Sequence, residues 1–267
     1  MNLVNIIDNI LKNILEIFGI KVLKLNRYDE LKHELDRYKR GYNDLEILKG
    51  LSEDNVIKFF DNIEQSKSQI RQDLFVLTQL NFKKNGFFVE FGATNGIDLS
   101  NTYLLERKFG WNGILAEPAH YWKRQLKENR NVIIDERCVW STSNLFLEFN
   151  ETNFGELSTL NQYSHSDLHK GARKKGKIYQ VETISLLDLL DENNAPKEID
   201  YLSIDTEGSE YDILKNFDFS KYHIKLITCE HNYTPMRKKI FDLLSQNGYE
   251  RVFSEISEFD DWYIRVD

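Results

Sequence analysis

Apolar residues recur at helical spacing through the first part of the chain and then give way to short continuous runs. Leu3, Ile6, Ile7, Ile10, Leu11, Ile14, Leu15 and Phe18 share one face of a helix predicted over residues 3–18 and ending near Gly19. Tyr28, Leu31, Leu35, Tyr38, Tyr42 and Leu45 follow a 3,4,3,4,3 spacing, the seam of a short coiled coil with Gly41 inside it. A third helix is predicted over residues 53–66, with Ser52 as its N-cap and Val56, Phe59, Phe60 and Ile63 on one face. A fourth covers residues 69–81.

From Gly86 onward apolar strand-like runs alternate with helical patterns, which predicts a parallel sheet flanked by helices. Strands fall near 87–91, 113–117, 132–139, 145–149, 178–183, 200–205, 224–230, 250–256 and 261–266. Helices fall near 98–110, 119–129, 185–193, 209–216 and 235–247. The last two strands, beside a turn at Glu258 to Asp261, read as a closing antiparallel hairpin. The change of pattern divides the chain into a helical region, residues 1–68, read as a dimer contact or substrate cap, and an α/β domain, residues 69–267.

The stretch Gly86-Phe-Phe-Val-Glu-Phe-Gly-Ala-Thr-Asn-Gly96 joins the first of these strands to a helix through a glycine turn. Its spacing, Glu90-x-Gly92-x-x-x-Gly96, differs from the Gly-x-Gly-x-x-Gly of dinucleotide sites. An acid on the strand before the glycines suits a cation, and S-adenosylmethionine carries an amino group and a sulfonium where a dinucleotide carries phosphates. Glu117, at the tip of the second strand, stands where a ribose diol is gripped by a carboxylate. An ordinary βα turn is the bland alternative.

The 267 residues carry a formal net charge of −8, which argues against nucleic acid as a partner. No segment has the ~18 uncharged apolar residues of a membrane span. The N-terminus shows neither a basic region nor a small-residue cleavage site. Cys138 and Cys229 lie in apolar runs without metal-site spacing, as reduced core thiols of a cytoplasmic protein do. Lys170, Arg173, Lys174, Lys175 and Lys177 form an isolated basic cluster, either a solvated loop or a cradle for an anionic substrate such as a sugar nucleotide.

In a doubly wound sheet the ligand lies beyond the carboxyl ends of the strands. One such end delivers Asp205, followed by Glu207, Gly208 and Glu210, and the next delivers Glu230, His231 and Asn232. Asp205, Glu230 and His231 form a candidate site for Mg²⁺, Mn²⁺ or Fe²⁺, which would lower the pKa of an attacking hydroxyl. His231 is equally a candidate general base, since an imidazole titrates near neutral pH. His165 and His169 belong to the basic loop; His33, His120 and His223 read as structural or surface residues.

Together with Gln69-Ile-Arg-Gln-Asp73, Ser100-Asn-Thr-Tyr-Leu-Leu-Glu106, Gly110-Trp-Asn-Gly-Ile-Leu-Ala-Glu-Pro118 and Ile204-Asp-Thr-Glu-Gly-Ser-Glu210, the glycine stretch resembles the FkbM-type S-adenosylmethionine-dependent methyltransferases from about residue 69 onward. The resemblance implies a class I methyltransferase fold, a Rossmann-like seven-stranded, mostly parallel sheet with an antiparallel strand at its end. It also implies O-methylation of a sugar, in polysaccharides, glycolipids or natural products. Carried onto this chain, Glu90, Gly92, Ala93 and Gly96 would surround the methionine part, Glu117 the ribose, and Arg137 and Cys138 the adenine, with Asn101 buttressing the turn. Asp205, Glu207 and His231 are the candidate catalytic residues, and Lys170, Arg173, Lys174 and Lys175 the candidate substrate contacts. This chain has Asn95 before the last glycine where members often carry Asp. Two rival functions are a module that binds S-adenosylmethionine or a nucleotide without chemistry, and an NAD-dependent sugar oxidoreductase. The second is disfavoured by the glycine spacing and by the lack of a Tyr-x-x-x-Lys pair after the middle strands.

Overall fold

The computed structural model of the chain describes residues 25–153, 155–165 and 170–266; the helix predicted over residues 3–18 lies outside them. The chain divides into two compact units, residues 1–43 and 44–267. In the first, the described residues belong to helix α1 (Leu25–Leu48), which runs uninterrupted through Gly41. Leu31, Leu35 and Tyr38 are exposed on it.

The second unit takes in the last residues of α1 and then α2 (Glu53–Phe60), where the Ser52 hydroxyl accepts from the Asn55 N–H, as its N-cap role requires. Phe59 of this helix shares a core with Leu74 and Phe75 of α3 (Gln72–Gln79), so part of the region read as N-terminal belongs to the unit that holds the sheet. α3 begins later than its apolar pattern predicts because Arg71 takes a left-handed conformation and the Asp73 carboxylate accepts from Ser66 and Ser68.

The main sheet contains β1 (Phe87–Phe91), β2 (Asn112–Ala116), β3 (Ile133–Asp135), β8 (Glu198–Ile204), β9 (His223–Glu230), β10 (Tyr249–Val252) and β11 (Asp260–Arg265). Their spatial order is β10-β11-β9-β8-β1-β2-β3. β1, β2, β3, β8 and β9 are parallel, and β11 is inserted antiparallel between β9 and β10. The predicted seven-stranded sheet with its closing antiparallel hairpin is therefore observed. Successive residues of a strand point to opposite faces. Val89, Phe91, Ile114, Leu202 and Ile204 accordingly enter one core, and Phe88, Leu115 and Tyr201 the other. Each fully buried apolar side chain contributes roughly 1.5–3 kcal/mol, so sheet and helices are held mainly by these two layers.

Helices α4 (Tyr103–Phe109), α5 (Lys123–Asn129), α7 (Leu186–Glu192), α8 (Glu210–Leu214) and α9 (Met236–Gln246) fall inside the predicted ranges. A smaller sheet, β4-β7-β5-β6, was not foreseen as a separate layer. It comprises β4 (Cys138–Trp140), β5 (Phe146–Glu151), β6 (Thr159–Leu160) and β7 (Lys177–Ser185). The single strand expected over 132–139 is split into β3 and β4 because Asp135 turns its carboxylate back onto the Arg137 N–H at 2.9 Å. The short β6 and the one-turn α6 (Lys170–Arg173) carry too little periodicity to be read from sequence.

Candidate functional site

The strand order reverses between β1 and β8, and a cavity, open at its mouth, lies across that point. On the β1 side the chain leaves the strand through Gly92, whose φ is +74°. A Cβ there would stand 2.0 Å from the Asp205 carbonyl oxygen, so the approach of the β1 and β8 ends requires glycine. Glu90, the last polar residue before the turn, accepts from the Asn101 N–H at 2.7 Å, the Thr102 hydroxyl at 2.6 Å and the Ser100 hydroxyl at 3.2 Å. These bonds spend residues 100–102 on a turn, which is why α4 begins at Tyr103 and not near residue 98.

Asn101 donates its amide to the Ser203 hydroxyl at 2.9 Å, while its Oδ1 is buried without a partner. Glu117, beyond β2, accepts from the Thr94 N–H and the Ala119 N–H, each at 2.9 Å. Burial, outweighing these bonds, pushes its carboxyl up to about 7. Cys138 lines the wall here, and burial, with the Glu117 charge second, raises its thiol to about 12.

Three residues expected at this end stand elsewhere. Ala93 is buried but does not line the cavity. Gly96 packs outward, where a Cβ would meet Arg130 and Leu126. Arg137 pairs with Asp135 and Glu192, so its guanidinium is already occupied away from the cavity. Conversely, Arg130 went unforeseen and is central. Wholly buried, it donates to the Gly96 carbonyl at 3.1 Å, the Ser100 hydroxyl at 3.1 Å and the Thr102 hydroxyl at 2.8 Å. It also pairs with Glu106 and lies 3.6 Å from Glu90.

The opposite end is built from β8, β9 and β11. Glu210 shapes the turn after β8 by accepting from the Thr206 N–H, the Thr206 hydroxyl and the Gly208 N–H. Asp205, Glu207 and Glu230 converge, one carboxylate oxygen from each lying within 4.8 Å of the others. Burial raises Asp205 and Glu230, and for Glu230 the Asp205 charge adds to it. Asp260 lies opposite Glu230 in the β9–β11 ladder and accepts from the Gln72 amide at 3.2 Å; burial raises it too. Neither Gln72 nor Asp260 was foreseen as lining the site.

His231 does not join the acids. Its Nδ1 accepts from the Tyr233 N–H at 3.0 Å and its Nε2 is 3.7 Å from Asp261, outside the cavity lining. The reason is the alternation of neighbours: Glu230 ends β9 facing the cavity, and the next residue faces away. Burial raises Asp261, but the His231 and Arg237 contacts prevail and hold it down at about 2. The candidate cation site is therefore formed by Asp205, Glu207 and Glu230, with His231 replaced by Glu207.

The basic cluster is likewise not one surface. Arg173 is buried and donates to Glu207 at 2.7 Å, whereas Lys170, Lys174 and Lys175 are exposed, and none of the four lines the cavity. His169 lies outside the described residues. Among the described residues the cavity lining includes eight carboxylic side chains and no lysine, arginine or histidine.

The methyltransferase FkbM domain matches residues 90–251, more than half of the chain. The chain belongs to the FkbM methyltransferase family. The family implies use of S-adenosylmethionine, and the sheet order above is the Rossmann-like class I methyltransferase fold. The FkbM domain contains Glu90, Glu117, Asp205 and Glu230, while Gln72 and Asp260 stand outside it. Among solved structures, a methyltransferase FkbM from Methylobacillus flagellatus KT is 12% identical, with 78% of this chain and 58% of that one covered and a TM-score of 0.43. A precorrin-6y C5,15-methyltransferase from Geobacter metallireducens GS-15 is 9% identical, with 72% and 85% covered and a TM-score of 0.36. No curated protein matches the chain in sequence. Among the described residues, no helix of this FkbM methyltransferase is long and apolar enough to cross a membrane.

The cavity suits the cofactor the family implies. Its walls offer a buried acceptor without a partner, Asn101 Oδ1. A lining with acids and no base favours a sulfonium over a diphosphate.

Proposed function

We propose that this FkbM methyltransferase methylates a hydroxyl of a sugar in the cytoplasm, in the synthesis of a polysaccharide or natural product. The observation that carries this reading is the acid-lined cavity across the β1–β8 switch point, with Glu90 and Glu117 toward one end and Asp205 and Glu230 toward the other. S-adenosylmethionine, when bound, supplies a methyl group already activated on sulfur. The chain's own task is then alignment, which lowers a barrier by several kcal/mol.

In this reading Glu117 holds the ribose, and the Glu90 network with Arg130 fixes the turn that bears Gly92. Cys138 contacts the base through an apolar wall. Asp205 stands at the acceptor and takes the hydroxyl proton, its carboxyl raised by desolvation toward the range a general base requires. The convergence of Asp205, Glu207 and Glu230 supports a second reading of the proton step, in which Mg²⁺, Mn²⁺ or Fe²⁺ held by these three oxygens lowers the hydroxyl pKa. We further propose that the part of residues 1–68 outside the sheet unit's core forms a dimer contact or substrate cap, with the exposed apolar stripe of α1 as its seam.

Titration calorimetry with S-adenosylhomocysteine tests the cofactor assignment. Glu117→Ala is expected to weaken binding roughly tenfold or more, as loss of a charged hydrogen-bond acceptor does. Asp205→Asn is expected to bind the product normally while turnover falls by roughly 10²-fold or more. Wild-type turnover in that variant would remove Asp205 from the chemistry. Activity that disappears on EDTA treatment and returns with Mn²⁺ would select the metal reading.

A further inference from the structure

The β8–β9–β11 end of the cavity carries buried acceptors that a methyl donor at the other end leaves unmet. Glu230 and Asp260 are 8% and 3% exposed and face each other across the β9–β11 ladder. No basic donor reaches Glu230 Oε2 or Asp260 Oδ1; the Glu230 carboxyl meets only another acid, Asp205, and both residues line the cavity beside it. Gln72 offers Asp260 one N–H, on its other oxygen. Arg173 meets Glu207, not this pair, and no basic side chain among the described residues lines the cavity. Buried carboxylate oxygens without donors are costly, so whatever binds here must bring N–H or O–H groups, and a cation satisfies them best. A phosphate or a uronate brings further acceptors to a place already crowded with them.

We propose that the acceptor enters this end as a hydroxyl-bearing primary ammonium, an amino sugar, with its ammonium seated between Glu230 and Asp260. This rests on the methyl-transfer reading and narrows its substrate class. The acceptor hydroxyl then lies toward Asp205. Its oxygen forms the new bond to the methyl carbon, the carbon–sulfur bond breaks, the hydroxyl proton passes to the Asp205 carboxylate, and neutral S-adenosylhomocysteine leaves. The ammonium takes no part in the bond changes; it orients the hydroxyl and excludes anionic acceptors from the acid-lined end.

The test is calorimetry on the full chain, freed of metal with EDTA and saturated with S-adenosylhomocysteine, titrated separately with glucosamine, glucose and glucuronate. Glucosamine should bind at least roughly tenfold more tightly than glucose, and glucuronate least, as charge pairing across a buried site requires. Asp260→Asn and Glu230→Gln, each close in shape and lacking the charge, should each lose that preference while retaining S-adenosylhomocysteine affinity. Equal affinity for glucose and glucosamine, no glucosamine binding at millimolar concentration, or an unchanged preference in both variants would overturn the inference. Tight Mn²⁺ binding that abolishes the glucosamine signal would also overturn it, assigning the acids to a metal. If S-adenosylhomocysteine itself fails to bind, the methyl-transfer reading falls as well; if it binds and the sugar preference is absent, only the present inference falls.

Discussion

Glu117 shows how a cavity-lining acid can lower stability. Burial raises its carboxyl from the usual 4.5 to about 7 in the folded chain, so the native state holds the proton more tightly than the unfolded one. The group costs nothing below its unfolded value. Its ionisation then removes stability as pH rises through that window, by up to roughly 3 kcal/mol. Urea denaturation of the cofactor-free protein should therefore show Glu117→Gln with a flatter pH profile and greater stability at pH near 8; a profile as steep as wild type would refute this. The two thiols make an opposite prediction. Burial raises Cys138 to about 12 and Cys229 well above its usual value, so neither should be alkylated by iodoacetamide in the native chain, read by intact mass. Gly92→Ala should cost roughly 2–4 kcal/mol, combining a left-handed φ with overlap at the Asp205 carbonyl, and a melting temperature equal to wild type would contradict the geometry. Glu90, Gly92, Glu117 and Asp205 were legible because each stands at a strand end marked by an apolar run and a turn. Asp260 and Gln72 were not, since their contact joins residues 188 positions apart and leaves no local pattern.

At the scale of elements, Arg130 follows α5 as one more charged residue in a polar stretch, yet it is the buried post to which the 96–102 turn is tied. Its partners come from β1, α4 and the glycine turn, and no spacing in a single sequence joins them. Removing one partner of a buried charge network leaves the rest uncompensated. Arg130→Met is expected to destabilise the fold by roughly 3–5 kcal/mol in urea and to weaken S-adenosylhomocysteine binding through disorder of the turn. A loss below ~1 kcal/mol would show the network to be dispensable. The strand at 132–139 was over-extended for a related reason: apolar character continues through it, but the Asp135 side chain interrupts the ladder and hands the second half to another sheet. For α1, light scattering tests the dimer proposal: Leu31→Glu with Leu35→Glu should halve the mass of a dimer that uses this seam. A mass unchanged by the pair would leave the stripe without that role.

For the molecule as a whole, the cavity is lined entirely by residues between Gln69 and Asp260, all inside the compact unit 44–267. A chain beginning at Asp44 should therefore fold cooperatively and bind S-adenosylhomocysteine about as well as the full chain, and failure to do so would give residues 1–43 a direct part in the site. The position of β11 carries a further consequence. β10 reaches the sheet only through β11, and β11 also delivers Asp260, so the acid-lined end is incomplete until that strand slides in beside β9. On the ribosome, a nascent chain that has emerged only as far as β10 has the glycine turn and Glu117 but no closed far wall. The binding pocket thus matures last, and a prematurely terminated product is left with an open sheet edge and an unfinished cavity instead of a working enzyme.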